Sequence, residues 1–217
     1  MAFMNPKDFI ITRKRKLYKF ALFNNSSICF EFDEWDEGEK THNLEIGAGT
    51  GLFSESLASR NPDKKFVAVD VKADRLVKGA QQAELEGLRN IRFLRARADQ
   101  LNQAFAPNSV KYLWVTFPDP YPKARNAGRR LTHPTFLRIY QKLLAEDGAF
   151  YFKTDAKELF DWSLEQLVHE GWRIERLSFD LHESDLNENY KVMTTYEKRF
   201  TAEGLKINFV KATPPRK

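Results

Sequence analysis

Leu44-Glu45-Ile46-Gly47-Ala48-Gly49-Thr50-Gly51 is the stretch on which the reading of this chain turns. An apolar run carrying one acidic residue passes directly into glycines at 47, 49 and 51. A buried strand enters a loop in this way when the backbone must bend tightly and lie against a ligand with no side chain in between. The helix expected next, over residues 52–60, aims its N-terminus at the same spot, so a nucleotide-like ligand is the first expectation. Two familiar spacings are missing. A G-x-G-x-x-G dinucleotide loop would place its last glycine at Leu52, and the G-x-x-x-x-G-K-[ST] of phosphate-cradling loops is absent.

Outward from this loop, apolar strands and amphipathic helices alternate. Asn61-Pro62-Asp63 breaks the chain before the strand 66–69, which ends at Asp70 and completes a βαβ unit. A helix over 74–86 stops at Gly87, a strand follows at 91–96, and a short helix near 100–105 leads to Pro107-Asn108. The strand 111–117 runs into Pro118-Asp119-Pro120-Tyr121-Pro122-Lys123, where three prolines forbid regular structure and leave a rigid polar loop. Pro134 suits the first position of a helix with the apolar face Phe136, Tyr140, Leu143 and Leu144, ended by Gly148, with a strand at 149–153. Asp155 and Glu158 stand at capping-box spacing before the stripe Phe160, Leu164, Leu167 and Val168, which closes at Gly171. The alternating runs 173–182 and 205–212, joined by a polar loop, predict an antiparallel pair at the sheet edge. Upstream, the basic run at 13–16 and the unpatterned apolar stretch 17–23 read as a loosely held arm, followed by a short half-buried strand around Ile28, Phe30 and Phe32 and an acidic turn over 33–39. The expected organisation is a partly ordered N-terminal arm over 1–40 and a single α/β domain over 41–217.

The 217 residues, 42% hydrophobic with 18 Phe and 4 Trp, can bury one substantial core. No apolar run approaches the ~18 residues of a membrane span. The first twelve residues lack the apolar core of a secretion signal, and the single Cys29 cannot form an intramolecular disulfide, so a reducing cytoplasm is expected. Thirty-five basic against thirty acidic side chains leave a net charge of +5, so partner arguments rest on clustering. Basic clusters fall at 13–16, at Arg89, Arg92, Arg95 and Arg97, at Lys123, Arg125, Arg129 and Arg130, and at the C-terminus; three of them should flank the ligand site, which suggests an acidic polymer. No Cys/His or carboxylate spacing suggests a metal, and His133 and His182 read as structural.

In open α/β sheets ligands bind beyond the carboxyl ends of the strands, where Glu45, Gly47, Asp70, residues 97–99, Asp119 and Asp155 all fall. Asp70, about twenty residues past the glycines, can accept the hydroxyls of a ribose, with a loop carboxylate as the alternative. The segment 44–51 resembles the first motif of class I S-adenosylmethionine-dependent methyltransferases, an acidic residue then G-x-G-x-G. That resemblance implies a Rossmann-like, mostly parallel seven-stranded sheet with helices on both faces. It also implies cofactor contacts from Glu45, Gly47, Gly49, Asp70, Val71, Arg97, Ala98 and Asp119. Glu45 would anchor the methionine end, unless it is a plain ion-pair partner, and the backbone of Arg97-Ala98, with Asp99 nearby, would meet the adenine.

Phe117-Pro118-Asp119-Pro120-Tyr121-Pro122-Lys123, with Arg125 and Arg129-Arg130-Leu131-Thr132 behind it, resembles the P-D-P-W-x-K-x-R-H-x-K-R-R signature of bacterial tRNA (guanine-N7)-methyltransferases. Phe152-Lys153-Thr154-Asp155 resembles that family's F-K-T-D, and Thr194-Thr195-Tyr196-Glu197 with Arg199-Phe200 its T-x-Y-E-x-[KR]-F, so the likeness spans about residues 43–200. The chain departs from the pattern at Asn126, Gly128, Tyr121, Asp70 and Arg97. By resemblance the activity is methyl transfer from S-adenosyl-L-methionine to N7 of the variable-loop guanosine, position 46, of tRNA by a monomer or homodimer. Asp119 would be catalytic, and Lys123, Arg125, Arg129, Arg130, Asp155, Thr194 and Glu197 would hold the substrate. Two rivals remain: a non-catalytic RNA-binding subunit of the same fold, and an amino-methyltransferase, whose loop would read [DN]-P-P-[YF].

Overall fold

The computed structural model describes residues 14–36 and 41–215. Helix α1 (Lys14–Asn25) and strand β1 (Cys29–Glu31) precede β2 (Thr41–Ile46), and the chain then alternates through α2 (Leu52–Arg60), β3 (Phe66–Asp70), α3 (Ala73–Leu85), β4 (Ile91–Arg95), the single turn α4 (Leu101–Ala104) and β5 (Val110–Thr116). It continues with α5 (Pro134–Leu143), β6 (Leu144–Thr154), α6 (Lys157–His169), β7 (Arg173–Ser178), α7 (Thr195–Ala202) and β8 (Asn208–Thr213). One eight-stranded sheet results, in the order β1-β4-β3-β2-β5-β6-β8-β7. Neighbours are parallel except that β8 runs antiparallel to both β6 and β7.

The central strands are apolar on both faces because both are covered. Leu137, Tyr140, Leu159 and Phe160 from α5 and α6 pack on one side with Leu44, Ile46 and Val115. Phe23, Phe53, Leu57 and Leu76 from α1, α2 and α3 pack on the other with Ala68 and Phe93. From β2 the chain builds outward through β3 and β4, then crosses back to set β5 on the opposite side of β2. This reversal opens a crevice beyond the carboxyl ends of β2 and β5, the place where open α/β sheets take their ligands.

The strand count is eight rather than seven, because β1 pairs with β4 through Cys29↔Phe93 to Glu31↔Arg95. Three residues carry too little periodicity to declare a partner, and the edge they join exists only once β4 is placed. Residues 14–25, read as part of a loose arm, form α1 instead: Phe23 is fully buried, and the Arg95 guanidinium lies 4.8 Å from the Phe20 ring centroid and 3.1 Å from the Glu31 carboxylate. Residues 1–13 of the arm, 37–39 of the acidic turn and the last two basic residues lie outside the described residues.

Helix α5 ends at Leu143, not at Gly148. Leu144 already pairs with Val110, and the chain bends so closely at Gly148 that a Cβ there would stand 2.9 Å from the Ala145 carbonyl oxygen. The expected capping box at Asp155 and Glu158 does not form: the N-cap of α6 is Ala156, whose N–H donates to Thr154 Oγ1 at 3.1 Å. Val168 is 63% exposed and outside the apolar stripe. The segment between β7 and β8 holds α7 rather than only a polar loop.

Candidate active site

Gly47, Gly49 and Gly51 adopt φ of 71°, 57° and 70°, so the loop after β2 takes left-handed turns that a side chain would resist. Asp70, at the end of β3, fastens it: one carboxylate oxygen accepts the Gly49 N–H and the other the Lys72 N–H, each at 2.8 Å. Burial raises the Asp70 pKa, and these two N–H groups oppose the rise. Each oxygen keeps capacity for a further donor. Sequence reading missed Gly79. Its N–H donates to the Thr50 carbonyl at 2.8 Å, and a Cβ there would come within 2.5 Å of the same oxygen, so α3 docks directly on the loop. A glycine inside an otherwise helical pattern was the available signal.

Glu45 is 2% exposed and accepts hydroxyl donors from Ser54 and Thr116, both at 2.6 Å. Burial pushes its pKa up to about 7 against the pull of those bonds. It therefore ties β2, α2 and β5 together beneath the loop through hydroxyls rather than through a cation.

Beyond β5 the chain turns sharply. Phe117 and Tyr121 hold φ of 48° and 42°, a region that costs a non-glycine residue about 1–3 kcal/mol. The Phe117 N–H donates to the Lys153 carbonyl at 2.9 Å, and Asp119 is exposed midway along the turn. A cavity of about 450 Å³ lies between this turn and the glycine loop. Glu45, Gly47, Gly49, Asp70, Val71, Ala98 and Asp119 all line it, as do Arg129, Asp155 and Thr194.

Other expected site residues do not line it. Arg97 pairs with Asp99 at 2.7 Å and does not line the cavity. Lys123 and Arg125 are exposed outside it. Arg130, expected at a phosphate, is 9% exposed, lies over the Trp162 ring and donates to the Tyr121 carbonyl. None of the arginines clustered at 89–97 lines the cavity: Arg92 donates to the Arg89 and Ile91 carbonyls at the amino end of β4, while Arg95, paired with Glu31, borders the cavity only through its bond to the Val71 carbonyl at 3.3 Å.

Thr194 and Glu197 form a capping box that opens α7. The Glu197 N–H donates to Thr194 Oγ1 at 2.9 Å, and the Thr194 N–H donates to the Glu197 carboxylate at 3.0 Å. Glu197 is fully buried and also accepts from Lys153 Nζ at 3.2 Å, with His182 Nε2 at 2.9 Å, so its carboxylate is engaged within the protein. Lys153, likewise fully buried, donates to the Val192 carbonyl at 3.0 Å. Burial lowers the Lys153 pKa while Glu197 raises it. A lysine between Phe152 and Thr154 in a core strand was the sequence signal for this pair.

A family model described as "Putative methyltransferase" matches residues 39–210. A tRNA (guanine-N7)-methyltransferase of Brevibacillus brevis is 38% identical over 200 residues, covering 91% of this chain and 92% of the relative. One from Macrococcus caseolyticus is 32% identical over 180 residues, covering 83% and 84%. The chain belongs to the tRNA (guanine-N7)-methyltransferase family. The fold of this member is shared by the 16S rRNA methyltransferase KamB, whose crystal structure superposes with a TM-score of 0.64 at 18% identity, covering 84% of this chain and 95% of that one.

The cavity fits the cofactor that such a fold implies. Asp70 has acceptor capacity at its wall, and a Cβ built on Gly49 would meet nothing within 4 Å, which leaves the loop backbone open to a ligand. At about 450 Å³ the volume falls within the usual range for small-molecule sites.

Proposed function

We propose that this chain methylates N7 of guanosine 46 in the variable loop of tRNA with S-adenosylmethionine as methyl donor. The observation that carries the reading is the single cavity that brings the Gly47–Gly51 loop and Asp70 to face Asp119 on its strained turn. The cofactor supplies a sulfonium-activated methyl group. Asp70 would hold the ribose hydroxyls and the backbone at Ala98 the adenine, while Glu45 sustains the loop from below. Guanine N7 carries a lone pair and no proton, so the protein needs no strong base, and its contribution is alignment. Asp119 can accept from the ring NH and amino group of guanine and offset the positive charge that develops on the purine. Arg129, on the cavity wall, and the exposed Lys123 and Arg125 would meet phosphates around the target. A-form RNA buries N7 in a deep narrow groove, so a displaceable loop nucleotide is the suitable substrate.

The test is methyl transfer to unmodified tRNA, followed by nucleoside analysis and mapping of the modified position. Formation of 7-methylguanosine in the variable loop is expected. Its absence would refute the activity, and its presence at another position would refute the assignment of the target.

A further inference from the structure

We infer that Arg130 is a positioning residue, clamping the turn at Tyr121, and with it the strap that carries Asp119, against Trp162 of α6. This rests on the role proposed above for Asp119. The Arg130 guanidinium lies with Cζ 4.4 Å from the Trp162 ring centroid, and from there Nη2 donates to the Tyr121 carbonyl at 3.0 Å while Nε approaches it at 3.4 Å. Stacking on an indole and donating in the guanidinium plane at the same time is open to arginine and not to lysine. Among the described residues no carboxylate pairs with Arg130.

The bond falls where the chain requires it. Tyr121 sits at φ 42°, a conformation that an L side chain adopts only when its surroundings impose it. Pro118, Pro120 and Pro122 have their own φ fixed, which stiffens the strap and lets a hold at either end act on the residues between. One end is held by the bond from the Phe117 N–H to the Lys153 carbonyl, and the other by Arg130. With both ends held, the range open to Asp119 between them is narrowed. Two adjacent arginines thus differ in task. Arg129 is exposed, lines the cavity and lies 5.7 Å from the Tyr121 ring centroid, whereas Arg130 is withdrawn from solvent and acts on the loop backbone.

The experiment uses Arg130→Gln, Trp162→Leu and Trp162→Phe in the full chain, with thermal melting to verify folding. Single-turnover methyl transfer at saturating tRNA and cofactor should slow by about tenfold to a hundredfold in Arg130→Gln and Trp162→Leu. The salt dependence of tRNA binding should stay that of the wild type. Trp162→Phe, which keeps an aromatic face, should recover most of the rate and serves if the leucine variant does not fold. Amide hydrogen exchange over residues 117–130 should quicken in Trp162→Leu without any ligand, a readout independent of turnover. The clamp is overturned if Arg130→Gln lowers the salt slope by roughly 0.7–0.9 while rate and exchange match the wild type, since Arg130 would then be a phosphate contact. It is equally overturned if exchange and rate are both unchanged in the Trp162 variants. A wild-type protein that makes no 7-methylguanosine would defeat the proposed function instead, and exchange alone would then decide the clamp.

Discussion

Replacing Glu45 by Gln should make the protein more stable at neutral and alkaline pH and leave it nearly unaltered in acid. Glu45 is almost fully buried, and its pKa stands at about 7 rather than 4.5 because burial disfavours its charged form more than the Ser54 and Thr116 hydroxyls favour it. A rise of that size is worth about 3 kcal/mol at 1.36 kcal/mol per unit. The folded-state pKa is the higher one, so folding takes up a proton. The stability associated with the neutral carboxyl is complete below pH 4.5, declines as the pH climbs toward 7, and is gone above it. Gln has no charge to desolvate, and both hydroxyls can donate or accept, so an amide can replace the bonds at 2.6 Å. The stability difference, variant minus wild type, should therefore grow by about 3 kcal/mol between acid and pH 8, as read from urea unfolding at a series of pH values. A difference independent of pH would refute the reasoning, because it would mean that the hydroxyl bonds hold Glu45 ionised throughout.

Asp119→Asn keeps a turn-compatible side chain but removes the charge, so single-turnover transfer should fall by on the order of a hundredfold or more while tRNA binding is largely kept; a rate near wild type would dismiss its catalytic role. Asp70→Ala should weaken cofactor binding in calorimetry by about 1.5–3 kcal/mol for each charged hydrogen bond lost. It should also release the Gly49 N–H from its 2.8 Å partner, and unchanged affinity would take Asp70 out of the site. Lys153→Met strands the buried Glu197 carboxylate and should cost about 3–5 kcal/mol in denaturant unfolding. Lys153→Met combined with Glu197→Gln should recover most of that loss, and a double variant no better than the single one would show that the pair is not coupled.

The sequence by itself carried the features that short range determines. Glycines that admit left-handed turns, Asp70 at a strand end, three prolines around Asp119 and the alternation of strand and helix patterns are all local, and the α/β order with its antiparallel edge pair followed from them. Three spaced motifs also pointed to the family, because recognition by resemblance needs no folding. What side chains do to one another across the fold was a different matter. Arg129 and Arg130 look alike as neighbours in a basic cluster, yet only packing against α6 places one in the cavity wall and the other over Trp162. Thr194 and Glu197 read alike as substrate contacts, yet only the fold shows Thr194 on the cavity wall and Glu197 buried, bonded to Thr194 at the start of α7 and to Lys153 from 44 residues away. Strand β1 needed an edge that β4 alone provides. In each of these cases the deciding energy lies in burial and in partners distant along the chain, quantities that exist only after the sheet has formed.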